Sequence, residues 1–177
     1  MQTTQTPCTL RPWEMADAPA LARALGNRRV QDNLRDGIPY PYGEQDARAF
    51  IAQMRAADPN AIFSFAISAG GRLAGSIAAF RQENIHFRTA ELGYFVAEPF
   101  WGRGIATCAV GQLCAHVFAH SDILRIFAEP FACNAASCRV LEKCGFTREG
   151  TLRANAVKNG RVLDMHLYAR VRTDARA

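Results

Sequence analysis

The residues Phe100-Trp101-Gly102-Arg103-Gly104-Ile105-Ala106-Thr107 stand between a strand-like run, Leu92 to Val96, and a long apolar helical pattern that starts at Ile105. A turn of small residues feeding a helix leaves several backbone N–H groups unpaired at the positive end of the helix dipole, a ready cradle for an anion and above all for phosphate. Glycine at 102 and 104 lets a ligand approach the backbone, Ala106 keeps the helix start clear, and Arg103 and Thr107 add a cation and a hydroxyl. No Gly-Lys-Ser/Thr follows, which excludes the Walker-type loop. The lack of a third glycine and of repeated strand–helix units excludes the dinucleotide fingerprint. Alone, the turn is equally compatible with a plain strand–helix connection.

A second element narrows the choice. In Asn134-Ala135-Ala136-Ser137-Cys138-Arg139-Val140-Leu141-Glu142-Lys143-Cys144-Gly145-Phe146, Asn134 suits a helix N-cap and Gly145 a stop, with Lys143 placed well for the dipole. With Ala90-Glu91-Leu92-Gly93-Tyr94 ahead of them, the two motifs resemble the GCN5-related N-acetyltransferase (GNAT) superfamily, and most closely its RimJ/RimL-type branch. The resemblance runs from about Cys8 to Arg172. It implies an α/β (α+β) fold with a mixed, mostly antiparallel central sheet, splayed central strands and helices on both faces. It also implies acetyl-CoA as co-substrate and no metal. The pyrophosphate would lie on Gly102, Arg103, Gly104, Ile105, Ala106 and Thr107, and the pantetheine amides on the free strand edge at Phe95 and Val96. The helix led by Asn134 and carrying Ser137 would line the pantetheine arm. The commonest superfamily pattern opens with Gln or Arg where Trp101 stands, a departure that a mainly backbone cradle tolerates. Phe100 and Trp101 themselves read as core packing beneath the loop.

Acetyl transfer to an amine needs a neutral amine, a stabilised thioester oxygen and a donor for the departing sulfur. Many superfamily members use a tyrosine late in the Asn-led helix as that donor, but Leu141 occupies its place. The RimJ/RimL-type branch uses a serine one turn earlier, which is Ser137; the competing reading is a mid-helix serine bonded back to a carbonyl. Glu91 is the candidate base, with a salt bridge or sheet-edge contact as its alternative. An α-amino group, with a pKa of about 7.7–8.0, needs less help from a base than a lysine at about 10.4. The resemblance places the acceptor end under the first helical connection, where Asp36, Tyr40, Tyr42 and Glu44 are the candidates, or plain loop packing. The leading function is acetylation of a protein N-terminal α-amine of the ribosomal-protein type. A small-amine acetyltransferase (polyamine, amino acid derivative or aminoglycoside) and a non-catalytic acyl-CoA-binding module are the alternatives.

The elements that must position these residues follow from periodicity. A strand around Cys8–Arg11 precedes a helix bounded by Asp17 and Gly26, then a helical piece around Val30–Leu34 and a helix facing inward through Ala47, Phe50, Ile51 and Met54. Phe63, Phe65 and Ile67 alternate in a strand that Gly70-Gly71 turns into Arg72–Arg81. Strands Ala90–Val96 and Ile123–Glu129 flank the long helix Ile105–Phe118, and strands Thr147–Ala156 and Arg161–Arg172 close the chain around the turn Lys158-Asn159-Gly160. At 177 residues and 49% hydrophobic, this is one domain over 8–172 with loose ends at 1–7 and 173–177. No run suits a membrane span or a secretory leader, so a cytoplasmic monomer or homodimer is the expectation. Six cysteines without a C-x-x-C pair read as reduced, mostly buried thiols, and His116 and His120 find no further metal ligands nearby. The +5 charge rests on dispersed arginines, weak grounds for direct nucleic-acid binding.

Overall fold

In the structure, a computed structural model describing residues 7–173, the elements run β1 (Thr9–Arg11), α1 (Ala18–Leu25), α2 (Arg28–Gln31), α3 (Glu44–Ala56), β2 (Ile62–Ala69), β3 (Arg72–Arg81), β4 (Thr89–Val96), α4 (Ile105–His120), β5 (Arg125–Ala128), α5 (Ala135–Lys143), β6 (Thr147–Lys158) and β7 (Arg161–Val171). The strands form one seven-stranded sheet in the order β1-β2-β3-β4-β5-β7-β6. Of the ends read as loose, residues 1–6 and 174–177 lie outside the described residues. Among those described, no helix is long and apolar enough to cross a membrane.

Both sheet faces are covered, which is why β2 and β3 are apolar on both sides. Ile105, Ala109, Val110, Leu113, Cys114 and Val117 form the stripe by which α4 lies on one face, joined there by Cys138 and Leu141 of α5. Leu21 and Leu25 of α1 and Ala47 and Ile51 of α3 pack with Trp13 against the other. The end of α5 locks its direction: the Phe146 N–H bonds Leu141 O (3.1 Å) and the Gly145 N–H bonds Glu142 O (3.1 Å), with Gly145 at φ 80°. This doubled closure requires a left-handed residue, and it brings buried Phe146 onto buried Leu141.

Several expectations need correction. Asp17 stands at the start of α1, but its carboxylate does not cap that helix. It takes Arg11 in two contacts (2.6 and 2.8 Å) and the Glu14 N–H (3.0 Å). The helical piece around Val30–Leu34 is only Arg28–Gln31, capped by Asn27. Trp101 is not core; it is 40% exposed, whereas Phe100 is buried at 8%. Cys133 is exposed, while the other five thiols are buried or half-buried and all six are free.

The sheet's central join shapes everything that follows. β4 and β5 are parallel and pair only over Thr89–Glu91 against Arg125–Phe127. On its other side β4 stays paired with β3 as far as Val96, opposite Gly75. The Ala97 N–H donates to Ala74 O (2.8 Å), so the alternation of an antiparallel ladder turns the N–H and C=O of Leu92, Tyr94 and Val96 away from β3 and toward the opening beside β5. Phe95 gives its main-chain groups to β3. The expected free edge exists, but Val96 carries it and Phe95 does not.

A Cβ on Gly75 would sit 2.1 Å from Phe95 O, so β3 and β4 can come this close only at a glycine. Gly75→Ala should cost about 1–3 kcal/mol through overpacking, lowering the melting temperature by about 2–4 °C per kcal/mol. Gly111→Ala, in open space on α4, should instead hold or raise the midpoint. Thermal melts that show no difference between the two variants would refute this account of the β3–β4 approach.

Candidate active site

The turn between β4 and α4 has the shape of an anion cradle. Gly102 (φ 74°) and Gly104 (φ 73°) are both left-handed, and a side chain added at either would point into open space. Ile105 is buried and starts the 16-residue α4, so the amides of its first turn are held outward toward that space. Phe100 anchors the turn from below, with the guanidinium groups of Arg72 and Arg103 at 5.5 and 5.8 Å from its ring centre. Glu98, just before the turn, takes both Asn27 and Arg29 from the start of α2. Trp101 does not fill the core but reaches back along the opening, its Nε1–H donating to Val96 O at 2.6 Å. That bond satisfies a carbonyl which β5 has left unpaired, a role invisible in a burial argument.

Asn134 is the N-cap of α5, as its residue type suggests. The Asn134 Oδ1 accepts the Ser137 N–H (3.1 Å), capping α5. Ser137 Oγ lies 2.8 Å from Tyr94 Oη, whose phenol also approaches the Ser137 carbonyl at 3.4 Å. Among the described residues Ser137 Oγ has no bond to a carbonyl of the preceding turn, so the back-bonded reading of this serine does not apply. Burial pushes the Tyr94 phenol up to about 12. Leu141, one turn on, is fully buried in the core and takes no part. Tyr94 lies on the opposite face of β4 from Glu91: even positions face α4 and α5, odd positions face α1 and α3.

On that second face lies a charged cleft. Arg35, in the segment after α2, reaches Glu91 at 2.5 Å and Glu129 at 3.4 Å. Glu91 is therefore ion-paired, and Glu129 is a second carboxylate at the same guanidinium that the sequence alone did not indicate. Its signal was the parallel register, since Phe127 opposes Glu91 and Glu129 follows on the same side two residues later. Asp36 pairs with Lys158 at 2.6 Å and Asp32 accepts from Asn159 at 3.0 Å, tying the segment to the β6–β7 hairpin. Arg35, Asp36, Glu129, Asn155 and Lys158 line a cleft of about 340 Å³.

The other acceptor candidates separate. Tyr42 is buried in the α1–α3 core, its phenol pushed up to about 12 by burial. Glu44 is bound to Arg48 on the surface of α3 (2.6 Å). Tyr40 is exposed with Arg28 over its ring (4.5 Å). Only Asp36 of the four lines the cleft. His116 and His120 stack on each other with centroids 4.6 Å apart, and among the described residues no group of three or more metal-ligating side chains gathers.

A family model described as an acetyltransferase (GNAT) domain matches residues 8–147. An uncharacterized N-acetyltransferase of Bacillus subtilis, YoaA, is 35% identical over 85 residues, 48% of this chain and 48% of its own length. The ribosomal-protein-serine acetyltransferase of Escherichia coli is 32% identical over 107 residues, 60% of this chain and 59% of its own length. The chain thus spans about half the length of the curated relatives it matches. Two solved structures share the fold. RimL, a ribosomal alpha-N-protein acetyltransferase in complex with coenzyme A, superposes with a TM-score of 0.83 at 25% identity, over 94% of this chain and 95% of its own. Mycobacterium smegmatis RimJ, in complex with CoA-disulfide, gives 0.83 at 26% identity, over 93% and 81%. With sheet order, glycine turn and family match in agreement, the chain belongs to the GNAT acetyltransferase family, in its RimJ/RimL-type branch.

Proposed function

We propose that this chain is an acetyl-CoA-dependent N-acetyltransferase that passes acetyl directly to a primary amine, the α-amine of a protein N-terminus of the ribosomal-protein type. The observation that carries this reading is the left-handed Gly102–Gly104 turn opening directly beside the unpaired edge of β4. The amides of the first turn of α4 would take the pyrophosphate, with Arg72 and Arg103 nearby as cations. The β4 edge at Tyr94 and Val96 would pair with the pantetheine amides and offer an N–H to the thioester oxygen as it gains charge. The amine would approach from the charged cleft. Its ammonium takes Arg35's place between Glu91 and Glu129, loses a proton to Glu91 or to water, and attacks the thioester carbon. The C–N bond forms, the nitrogen gives its second proton to water, the C–S bond breaks, and the sulfur leaves with the electron pair beside Ser137.

The names of the relatives support a protein N-terminus as acceptor. A second reading, a small polycationic amine, is favoured by one observation: two carboxylates converge on a single cation in the cleft. Free-thiol release measured with N-terminal serine and alanine peptides and with spermidine separates the two. Tight acetyl-CoA binding without release on any amine would support neither, and would leave a non-catalytic acyl-CoA-binding module.

Saturating acetyl-CoA should raise the melting temperature through mass action, by the equivalent of about 2.7 kcal/mol at a hundredfold excess over Kd. Gly104→Val should abolish that increment, since a valine strains the left-handed position and fills the space over the turn. The increment is compared within each protein, so any loss in the apo midpoint does not confuse it. An unshifted wild-type midpoint would sink the cofactor assignment.

For an α-amine, kcat/KM should rise with an apparent pKa near ~8, that of the free amine. Glu91→Gln should then cost little near pH ~9 and more at pH ~6.5, where the acceptor is mostly charged. Arg35→Ala should lower KM for the amine severalfold with kcat little changed, because it vacates the subsite. A uniform loss in Glu91→Gln across the pH range would show that Glu91 orients the acceptor or supports the fold instead.

A further inference from the structure

We infer that Tyr94 is a positioning residue for the transfer: its phenol holds the Ser137 hydroxyl so that the serine O–H faces the sulfur that leaves. The inference rests on the acetyltransferase reading above. Strand parity sets Tyr94 on the α4–α5 face of β4, opposite Glu91, and its own N–H and C=O look into the β4–β5 opening. The side chain therefore borders the slot where the thioester lies and crosses to the first turn of α5, where its oxygen meets Ser137 Oγ at 2.8 Å.

Either oxygen can donate across that 2.8 Å contact, and we take the phenol as the donor. The phenol keeps its proton at any working pH, burial having moved it up to about 12. The acceptors it meets are both on Ser137, Oγ at 2.8 Å and the carbonyl at the longer 3.4 Å. With the phenol donating to Oγ, the serine keeps one proton to give. The usual outlet, a carbonyl one turn back, is not used. The Ser137 N–H is already held by Asn134, so the residue is fixed from both its main chain and its oxygen. What remains is the slot.

The chemistry asks for no more than a hydrogen bond. As the C–S bond breaks, the electron pair goes to sulfur and the amine proton goes to Glu91 or water. Ser137 donates to the thiolate without surrendering its proton, and so does Tyr94 to Ser137. A thiol of ordinary pKa near ~8.5 leaves readily as thiolate once that charge is solvated, and bulk water protonates it later. Tyr94 touches neither acyl group nor amine.

The test reads the thiol of bound coenzyme A directly, by the pH dependence of thiolate ultraviolet absorbance with the desulfo-CoA complex subtracted. Wild type should ionise below the ordinary value, and Tyr94→Phe and Ser137→Ala should each raise that pKa by about half a unit or more. On whichever amine is best accepted among N-terminal serine peptide, N-terminal alanine peptide and spermidine, Tyr94→Phe should lower kcat about 3- to 10-fold and Ser137→Ala about 10- to 100-fold. KM for acetyl-CoA should change little, and the double variant should be no slower than Ser137→Ala. A tyrosine that only packs would lower the melting temperature while leaving the bound thiol's pKa as in wild type, which overturns the inference. Losses that simply add in the double variant overturn it as well. Coenzyme A failing to bind overturns the acetyltransferase reading and this one with it; coenzyme A binding with an unmoved thiol pKa overturns this one alone.

Discussion

The parting of β4 from β5 after Glu91 is the constraint on which the rest of the molecule depends. A strand in the middle of a sheet normally satisfies its amides on both sides, and leaving them bare costs free energy at each buried group. Here β3 keeps hold of one side of β4 while β5 ends at Ala128, so alternate N–H and C=O groups from Leu92 to Val96 face an opening. Two side chains have been recruited to that opening. The Trp101 indole takes the Val96 carbonyl, and the Tyr94 phenol spans to α5. On the proposed reading an extended ligand with its own amides would complete the ladder, and the glycine turn would hold an anion at one end of the same opening.

Holding the parting open is the task of the surrounding packing. The close β3–β4 approach at Gly75 keeps β4 with its antiparallel neighbour, and α4 lies beneath β1 to β4 through an unbroken apolar stripe. α5 is held at both ends, by Asn134 at its start and by the left-handed Gly145 at its finish, so Ser137 is delivered at a fixed height beside the opening. These are ordinary helix-end devices, each worth about 1 kcal/mol. Here they set where a hydroxyl sits.

Much of this was legible in the sequence, because the signals are local. Glycine spacing before an apolar helix, an asparagine cap and a period-two strand depend on neighbours within a few residues. The Asn134 cap and the turn at Gly102 and Gly104 were read that way, whereas Ser137 was singled out by the family resemblance. What escaped depends on contacts distant in the chain. Glu129 becomes relevant only when a parallel register sets Phe127 opposite Glu91, and Arg35 only when the segment after α2 folds over both. Trp101 misled for a related reason. Its size argued for burial, but an unpaired carbonyl five residues earlier in the chain outweighed that preference. Tyr42 and Glu44 misled in the reverse sense, since residue type suggested a pocket while one is core and the other pairs along its own helix.

Under the proposed function, the two faces of β4 would divide the labour of a group transfer. Odd positions present Glu91 to Arg35, which lines the charged cleft, and on the proposed reading an ammonium would enter and lose a proton there. Even positions present Tyr94 to α5, where on the same reading a departing thiolate would be met by the Ser137 hydroxyl. A one-residue slip of register would exchange the two environments, placing the carboxylate among the apolar residues of α4 and the phenol in the cleft. The bulge at Ala74 therefore matters beyond its own turn: the register between β2 and β3 shifts after Ile67, and Ala74 accepts the Ala97 N–H that fixes the phase of β4. The Arg35 bridge fits the same division. Arg35 is 56% exposed and Glu91 25%, so the bridge is worth at most about 1 kcal/mol. On the proposed reading it would shield the carboxylates until an amine arrives, yet it is weak enough for that amine to displace.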